Sequence, residues 1–135
     1  VMQVGMPQQL AILDASIARN SPLRAAAEKA SWGYAFTDVG AGLCRQWRLP
    51  SQFSDAIAAS ASDLEPAADQ PLAALLHLAA WQAWASDHTL NRSEVEALWP
   101  VTAAQQAGVA FSQAGPNFPS WKEAGGPAAA LLTPA

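Results

Sequence analysis

The sequence predicts an all-α fold, a compact multi-helix bundle, and three observations support this prediction. The chain of 135 residues is rich in alanine, the strongest helix former. It has almost no alternation of Val, Ile and Thr with polar residues, the pattern typical of half-buried strands. Several segments instead repeat apolar residues at helical spacing. We expect one helical domain over residues 1–112, followed by a Pro/Gly/Ala-rich tail over residues 113–135.

Proline and capping residues divide the N-terminal half into segments of helical length. We expect four helices here, over about residues 7–19, 23–31, 38–49 and 51–62. In the second helix, Arg24, Glu28 and Lys29 are typical of an ordinary solvated face. Gly33 follows this helix and is available for a left-handed cap.

The junction of the third and fourth helices predicts a tight corner. Val39, Leu43 and Trp47 recur at i, i+4 and i+8, so we expect them to share the inner face of the third helix. Gly40, Ala41 and Cys44 keep the neighbouring stripe narrow, which lets another helix come close, and we expect Cys44 to be buried as a small apolar residue. Pro50 ends the third helix and can begin the fourth.

The C-terminal half contains the most apolar helix, which we expect at the centre of the core. Its predicted core residues are Leu72, Leu75, Leu76, Ala79, Ala80 and Ala83. Two shorter helices are expected after it, over about residues 93–99 and 102–112. His77 has no carboxylate three or four residues away, and His88 lies in a polar loop. We therefore expect both histidines to pack or face solvent rather than to bind a metal.

Composition excludes several classes of function. The net charge is −4 and only 13% of residues are charged, so the basic surface that nucleic acids require is absent. The longest apolar run, residues 72–84, is shorter than the ~20 residues of a bilayer span. Cys44 is the only cysteine and no signal peptide is visible after Val1. We expect a cytoplasmic protein with no nucleic-acid partner, no membrane partner and no cofactor.

A set of short motifs resembles a known family over most of residues 1–90. They are Pro7-Gln8-Gln9-Leu10, Trp32-Gly33, Val39-Gly40-Ala41, Leu43, Trp47-Arg48-Leu49-Pro50, Ala56-Ile57 and the apolar run from Leu72 to Trp84. At these intervals they resemble the C-terminal half of an HDOD domain, the signalling relative of the HD phosphohydrolases. The resemblance implies a bundle of the HD-domain type whose N-terminal helices precede Val1.

The resemblance also implies where a metal site would lie. HD phosphohydrolases hold metal ions with His and Asp side chains and activate water on them. Phe36 stands where the family often has a histidine, and Ser60 and Ala61 stand where it often has a histidine pair. These side chains are non-ligands or poor ligands. The His-Asp pair is either replaced by Met2-Gln3 or lies before this sequence, so we expect no catalytic, cofactor or metal residues here.

Three hypotheses remain open from the sequence. The favoured one is a non-catalytic bacterial signalling module that binds a protein or a fused signalling domain, with homo-oligomerisation left open. The alternatives are a metal-dependent phosphohydrolase whose ligands lie upstream, and a structural oligomerisation domain. Arg45, Arg48, Phe118 and Trp121 are candidates for the interaction surface, although covering the core is the favoured interpretation for the two aromatic residues.

Overall fold

A computed structural model describes residues 2–19, 21–61 and 70–114, and all regular secondary structure in these ranges is helical. The prediction of an all-α fold is therefore confirmed. The helices are α1 (Met2–Gly5), α2 (Pro7–Asp14), α3 (Arg24–Trp32), α4 (Phe36–Gln46), α5 (Ser51–Ser60), α6 (Pro71–Asp87), α7 (Arg92–Ala97), α8 (Val101–Ala107) and α9 (Phe111–Ala114). Within the same ranges, no helix combines the length and apolarity that crossing a membrane requires.

Helix α6 occupies the centre of the packing. It packs against both α5 and α8, and α5 also packs against α4. Ala74 and Leu78 of α6 form a buried cluster with Ala103 and Ala104 of α8. Burying these small side chains lets the two helices approach closely, so the most apolar helix does lie at the centre of the core.

Aromatic rings extend this core toward the end of the described chain. Trp81 of α6 packs edge-on against Trp99, with ring centroids 5.4 Å apart. Trp99 in turn lies edge-on to Phe111 of α9, at 5.2 Å. This T-shaped geometry is favourable for aromatic pairs. Helix α9 is therefore attached to the bundle through these edge-on ring contacts. Its residues 111–114 cross the predicted domain boundary at 112.

The corner between α4 and α5 is as tight as predicted. A Cβ atom added to Gly40 would lie 3.3 Å from Cγ2 of Ile57, so only a residue without a side chain fits there freely. The corner itself is a Schellman motif. Arg48 N–H donates to the Arg45 carbonyl at 3.1 Å, and Leu49 N–H donates to the Cys44 carbonyl at 3.0 Å. Arg48 has the left-handed φ of 57° that usually requires glycine.

The inner face of α4 differs from the predicted one. The structure buries Thr37, Ala41 and Cys44, whereas Trp47 is 67% exposed. The predicted stripe and the buried stripe lie on different sides of the helix, and Gly40, which approaches Ile57 of α5, lies between them. Close approach of two helices favours small residues at the contact, so Trp47 is displaced to the surface.

The predicted core face of α6 is also wrong. Leu72, Leu75 and Leu76 are exposed, and the exposed fraction of Leu75 is 46%. The buried residues of this helix are Ala73, Ala74, Leu78, Trp81 and Ala85. Because apolar residues surround nearly the whole helix, their periodicity does not indicate which stripe faces inward.

Candidate functional site

A cavity of about 300 Å³ beside α6 brings several predicted site residues together. Its lining includes Phe36, Ser60 and Ala61, the three positions that the family resemblance marks as former metal-ligand positions. The remaining lining residues are Arg19, Ser21, Pro22, Ala25, His77, Ala80, Trp81 and Ala83. We call this set the cavity. Phe36 and Ala61, which are 25 residues apart in the sequence, thus meet at one place in the fold.

Each wall of the cavity is supplied by a different helix end or face. Phe36 is the first residue of α4, and Ser60 is the last residue of α5. His77 and Trp81 are four residues apart on α6, which places them on one side of that helix. Ala25 lies in the first turn of α3. The cavity therefore lies where three helices begin or end against the side of the central one.

The side chain of His77 is oriented in this cavity by a hydrogen bond to the backbone. Its Nδ1 lies 2.8 Å from the backbone carbonyl oxygen of Ser60. A carbonyl oxygen only accepts hydrogen bonds, so Nδ1 carries the proton and Nε2 is left as an acceptor in the neutral ring. Nε2 has no hydrogen-bond partner among the described residues. Side-chain spacing in the sequence does not predict this hydrogen bond, because its acceptor is a backbone atom 17 residues away.

A buried ion network supports the wall that contains Phe36. The side chains of Arg24 and Glu28 are each only 3% exposed, and Arg24 Nε lies 2.7 Å from Glu28 Oε1. The Phe36 N–H donates to the other carboxylate oxygen, Glu28 Oε2, at 2.6 Å. The first residue of α4 is therefore held by a carboxylate of α3. The prediction that Arg24 and Glu28 form a solvated face is wrong.

The same network reaches back to α2. Arg24 Nη1 lies 2.8 Å from Asp14 Oδ1, and it also donates to the Ile17 carbonyl at 3.0 Å. Asp14 pairs in addition with Arg19, whose Nε donates to Oδ2 at 2.9 Å. The hydrogen bond from Arg19 is the main cause that holds the pKa of Asp14 below its ordinary value, and Arg24 lowers it further. The Arg19 guanidinium at the cavity is therefore already paired with a carboxylate.

A divalent metal does not fit the described part of the cavity. Among its lining residues, the imidazole of His77 is the one good transition-metal ligand. The hydroxyl of Ser60 donates to the Ile57 carbonyl instead. Nowhere in residues 2–19, 21–61 and 70–114 do three His, Cys, Asp or Glu side chains come close enough to hold an ion. The described lining residues therefore provide one good transition-metal ligand and not a complete set.

The predicted interaction residues do not join this cavity. Arg45 and Arg48 are exposed at the corner between α4 and α5, beside exposed Trp47, Leu49 and Phe53. We call these five residues the corner surface. Neither arginine forms an ion pair with any residue in the described ranges. The other two candidates, Phe118 and Trp121, lie outside the described residues, as does most of the predicted tail over residues 113–135.

A comparison with models of known families adds an independent observation over the N-terminal part of the chain. Residues 1–62 match the HDOD domain. The suspected HDOD resemblance is thereby confirmed for α1 to α5, and it supports a signalling-associated, HD-related domain over this segment. The match covers less than half of the 135 residues. It ends before α6, whereas the predicted resemblance extended to about residue 90. No curated protein and no solved structure matches the chain at a significant level.

Proposed function

We propose that this chain is part of a non-catalytic signalling domain that acts by contact with another protein or a fused domain. The HDOD match over residues 1–62 supports the association with signalling. A bacterial, cytoplasmic setting is part of the same proposal and rests on the resemblance to this family. Cell fractionation of the full-length protein tests the compartment.

The observation on which the proposal depends is the chemistry of the cavity. Phe36, Ser60 and Ala61 line it, and the resemblance implies that these are positions where a hydrolase of the HD type has metal ligands. The phenyl and methyl groups donate nothing to a metal, and the hydroxyl is already engaged with a carbonyl. A scaffold retained without this donor set is more consistent with binding than with hydrolysis.

The corner surface is the part of the domain that we assign to partner contact. Trp47 is exposed although it is large and apolar, and Arg45 and Arg48 lie beside it without a described counter-ion. Such a mixture of tryptophan and arginine is typical of the residues that dominate binding energy at protein interfaces. The two cations favour a partner surface that presents carboxylates around an apolar pocket.

The backbone at Arg48 supports this assignment. A non-glycine residue at φ 57° costs about 1 kcal/mol or more, and glycine would avoid that cost. A strained residue whose side chain points to no described partner is a candidate for a function outside the fold. Thr89 has a similar φ of 51° in the same motif at the end of α6, so it offers a matched control.

The first experiment tests catalysis. The full-length protein is incubated with Mn²⁺, Fe²⁺ or Zn²⁺, desalted, analysed for bound metal and assayed with a chromogenic phosphodiester. We expect less than one equivalent of metal and no metal-dependent hydrolysis. One equivalent or more, together with hydrolysis that His77→Ala abolishes, would favour the phosphohydrolase alternative.

The second experiment tests partner contact. Arg48→Gly and Thr89→Gly both relieve a left-handed residue, so both are expected to fold at least as stably as the wild type. In the native host, we expect the Thr89→Gly gene to restore the phenotype of a deletion and a Trp47→Ala/Arg48→Gly gene to fail. Sedimentation of the same proteins distinguishes the oligomerisation alternative, which predicts that the failing variant also changes its mass in solution.

A further inference from the structure

We propose that the cavity binds a small neutral aromatic molecule that carries one hydrogen-bond donor, in the manner of an indole or a phenol. This inference rests on the proposed signalling function for its biological meaning, since such a molecule would be the signal that the domain senses. The binding itself is a property of the described residues and can be tested without knowing the partner.

The size and lining of the cavity favour a compact ring system. A volume of about 300 Å³ is at the lower end of the ~300–1,000 Å³ found for small-molecule sites. Phe36 and Trp81 supply aromatic rings to the lining, and most of its other members are alanine or proline. Aromatic walls favour stacked or edge-on packing with a flat ligand. One or two fused rings would fill this space.

The polar groups of the cavity favour a neutral ligand over an anion. The Arg19 guanidinium is paired with Asp14 at hydrogen-bond distance, so its charge is already compensated. The described lining residues include no lysine, and the N–H of Phe36 donates to Glu28 rather than to a ligand. A phosphate or carboxylate ligand would have to displace these carboxylates or lose its own hydration without compensation. Nucleotides are therefore a poorer fit.

His77 sets the requirement for a donor. His77 lines the cavity, and the Ser60 carbonyl fixes the proton on Nδ1, so Nε2 is the acceptor that a neutral ring leaves for a ligand. A ligand with an N–H or O–H group can satisfy this nitrogen, whereas a purely apolar ligand would bury it unpaired. His77 is thus the specificity-determining residue of the proposed site.

The test compares indole with 1-methylindole, which has the same ring but no N–H donor. The full chain is labelled with ¹⁵N, each compound is titrated, and the backbone amide shifts of the cavity residues are followed by NMR. We expect saturable shifts at the cavity with indole and about tenfold weaker binding of 1-methylindole, as the loss of one buried hydrogen bond predicts.

Three variants make the test specific. His77→Phe keeps a ring but removes the acceptor, so indole and 1-methylindole should then bind with equal affinity. His88→Phe is the matched control, because His88 also places Nδ1 2.8 Å from a backbone carbonyl but does not line the cavity. Its indole affinity should be unchanged. Ala80→Leu inserts a larger side chain at the cavity without weakening the helix, and should reduce indole binding at least tenfold.

Several results would overturn the inference. They are the absence of saturable shifts with indole, equal affinity of the wild type for both compounds, and binding that His88→Phe weakens as much as His77→Phe does. Shifts at the cavity with inorganic pyrophosphate but not with indole would assign the site to an anion instead. None of these results would affect the metal analysis or the deletion complementation, so failure of this inference is distinguishable from failure of the proposed function.

Discussion

Replacing Arg24 by methionine should severely destabilise the domain, because it leaves a buried carboxylate without its cation. Glu28 is 2% exposed, and its charge is balanced in the fold by Arg24 at 2.7 Å. Asp14, the other partner of Arg24, keeps Arg19 and is partly exposed, so it contributes less to the loss. Breaking a buried pair from one side typically costs about 3–5 kcal/mol, and we expect a loss in this range for Arg24→Met.

Neutralising the acidic partner, Glu28, should reduce the free energy of unfolding by less. In Glu28→Gln the buried negative charge is gone, and Arg24 retains both Asp14 and the Ile17 carbonyl. We expect a loss of about 1–2 kcal/mol, mainly from weaker hydrogen bonds to the Arg24 guanidinium and the Phe36 N–H. The double variant should be less destabilised than the sum of the single variants, because no uncompensated charge stays buried.

Urea denaturation followed by circular dichroism measures these free energies. Arg92→Met is the matched control, since Arg92 and Glu96 form the same i, i+4 pair at 3.2 Å on the exposed surface. This control should lose no more than about 0.5 kcal/mol. A loss below about 1 kcal/mol for Arg24→Met, or strict additivity in the double variant, would refute the proposed role of the buried network.

Three further predictions use single side chains. Gly42→Ala should raise the free energy of unfolding by about 0.5–1 kcal/mol. Gly40→Ala should raise it less, because the added methyl group would lie 3.3 Å from Cγ2 of Ile57 in α5. Equal gains would contradict the close approach. Thr89→Gly should stabilise by about 1 kcal/mol, since its φ of 51° suits glycine, and a loss in urea denaturation would contradict that conformation. The pKa of Asp14 is lower in the folded protein than its ordinary value of about 4, so ionised Asp14 stabilises the fold fully above that value. This stabilisation is lost as the pH falls through the lower pKa of the folded state. The thermal midpoint should therefore fall in acid for the wild type, and less so for Asp14→Asn.

Local sequence signals predicted the features that depend on nearby residues. The all-α class follows from composition and spacing, and Gly33 has the left-handed φ of 81° expected of a helix cap. The close approach at Gly40 and the burial of Cys44 are also confirmed. Each depends on the backbone conformation or the size of one residue. Such properties can be inferred from a short stretch of chain.

Features that depend on distant partners were not predictable in this way. Arg24 and Glu28 are charged, so their sequence positions indicate a solvent-exposed face. Only the folded chain shows that Arg24 is buried beside Asp14 and that Glu28 is buried while it accepts a hydrogen bond from the Phe36 N–H. The hydrogen bond of His77 was not predictable for a similar reason, since a backbone carbonyl leaves no trace in side-chain spacing. The short helix predicted over residues 93–99 begins and ends slightly earlier, at Arg92–Ala97, because Asn91 and Glu94 form its capping box.

The order of the helices has a consequence for how rapidly the chain reaches its native state. The pairs that pack most extensively, α4 with α5, α5 with α6 and α6 with α8, are neighbours or near neighbours along the chain. Chains dominated by such short loops have a low contact order, and they typically fold in microseconds to milliseconds. Rapid closure of this kind shortens the time during which the apolar surface of α6 is open to aggregation.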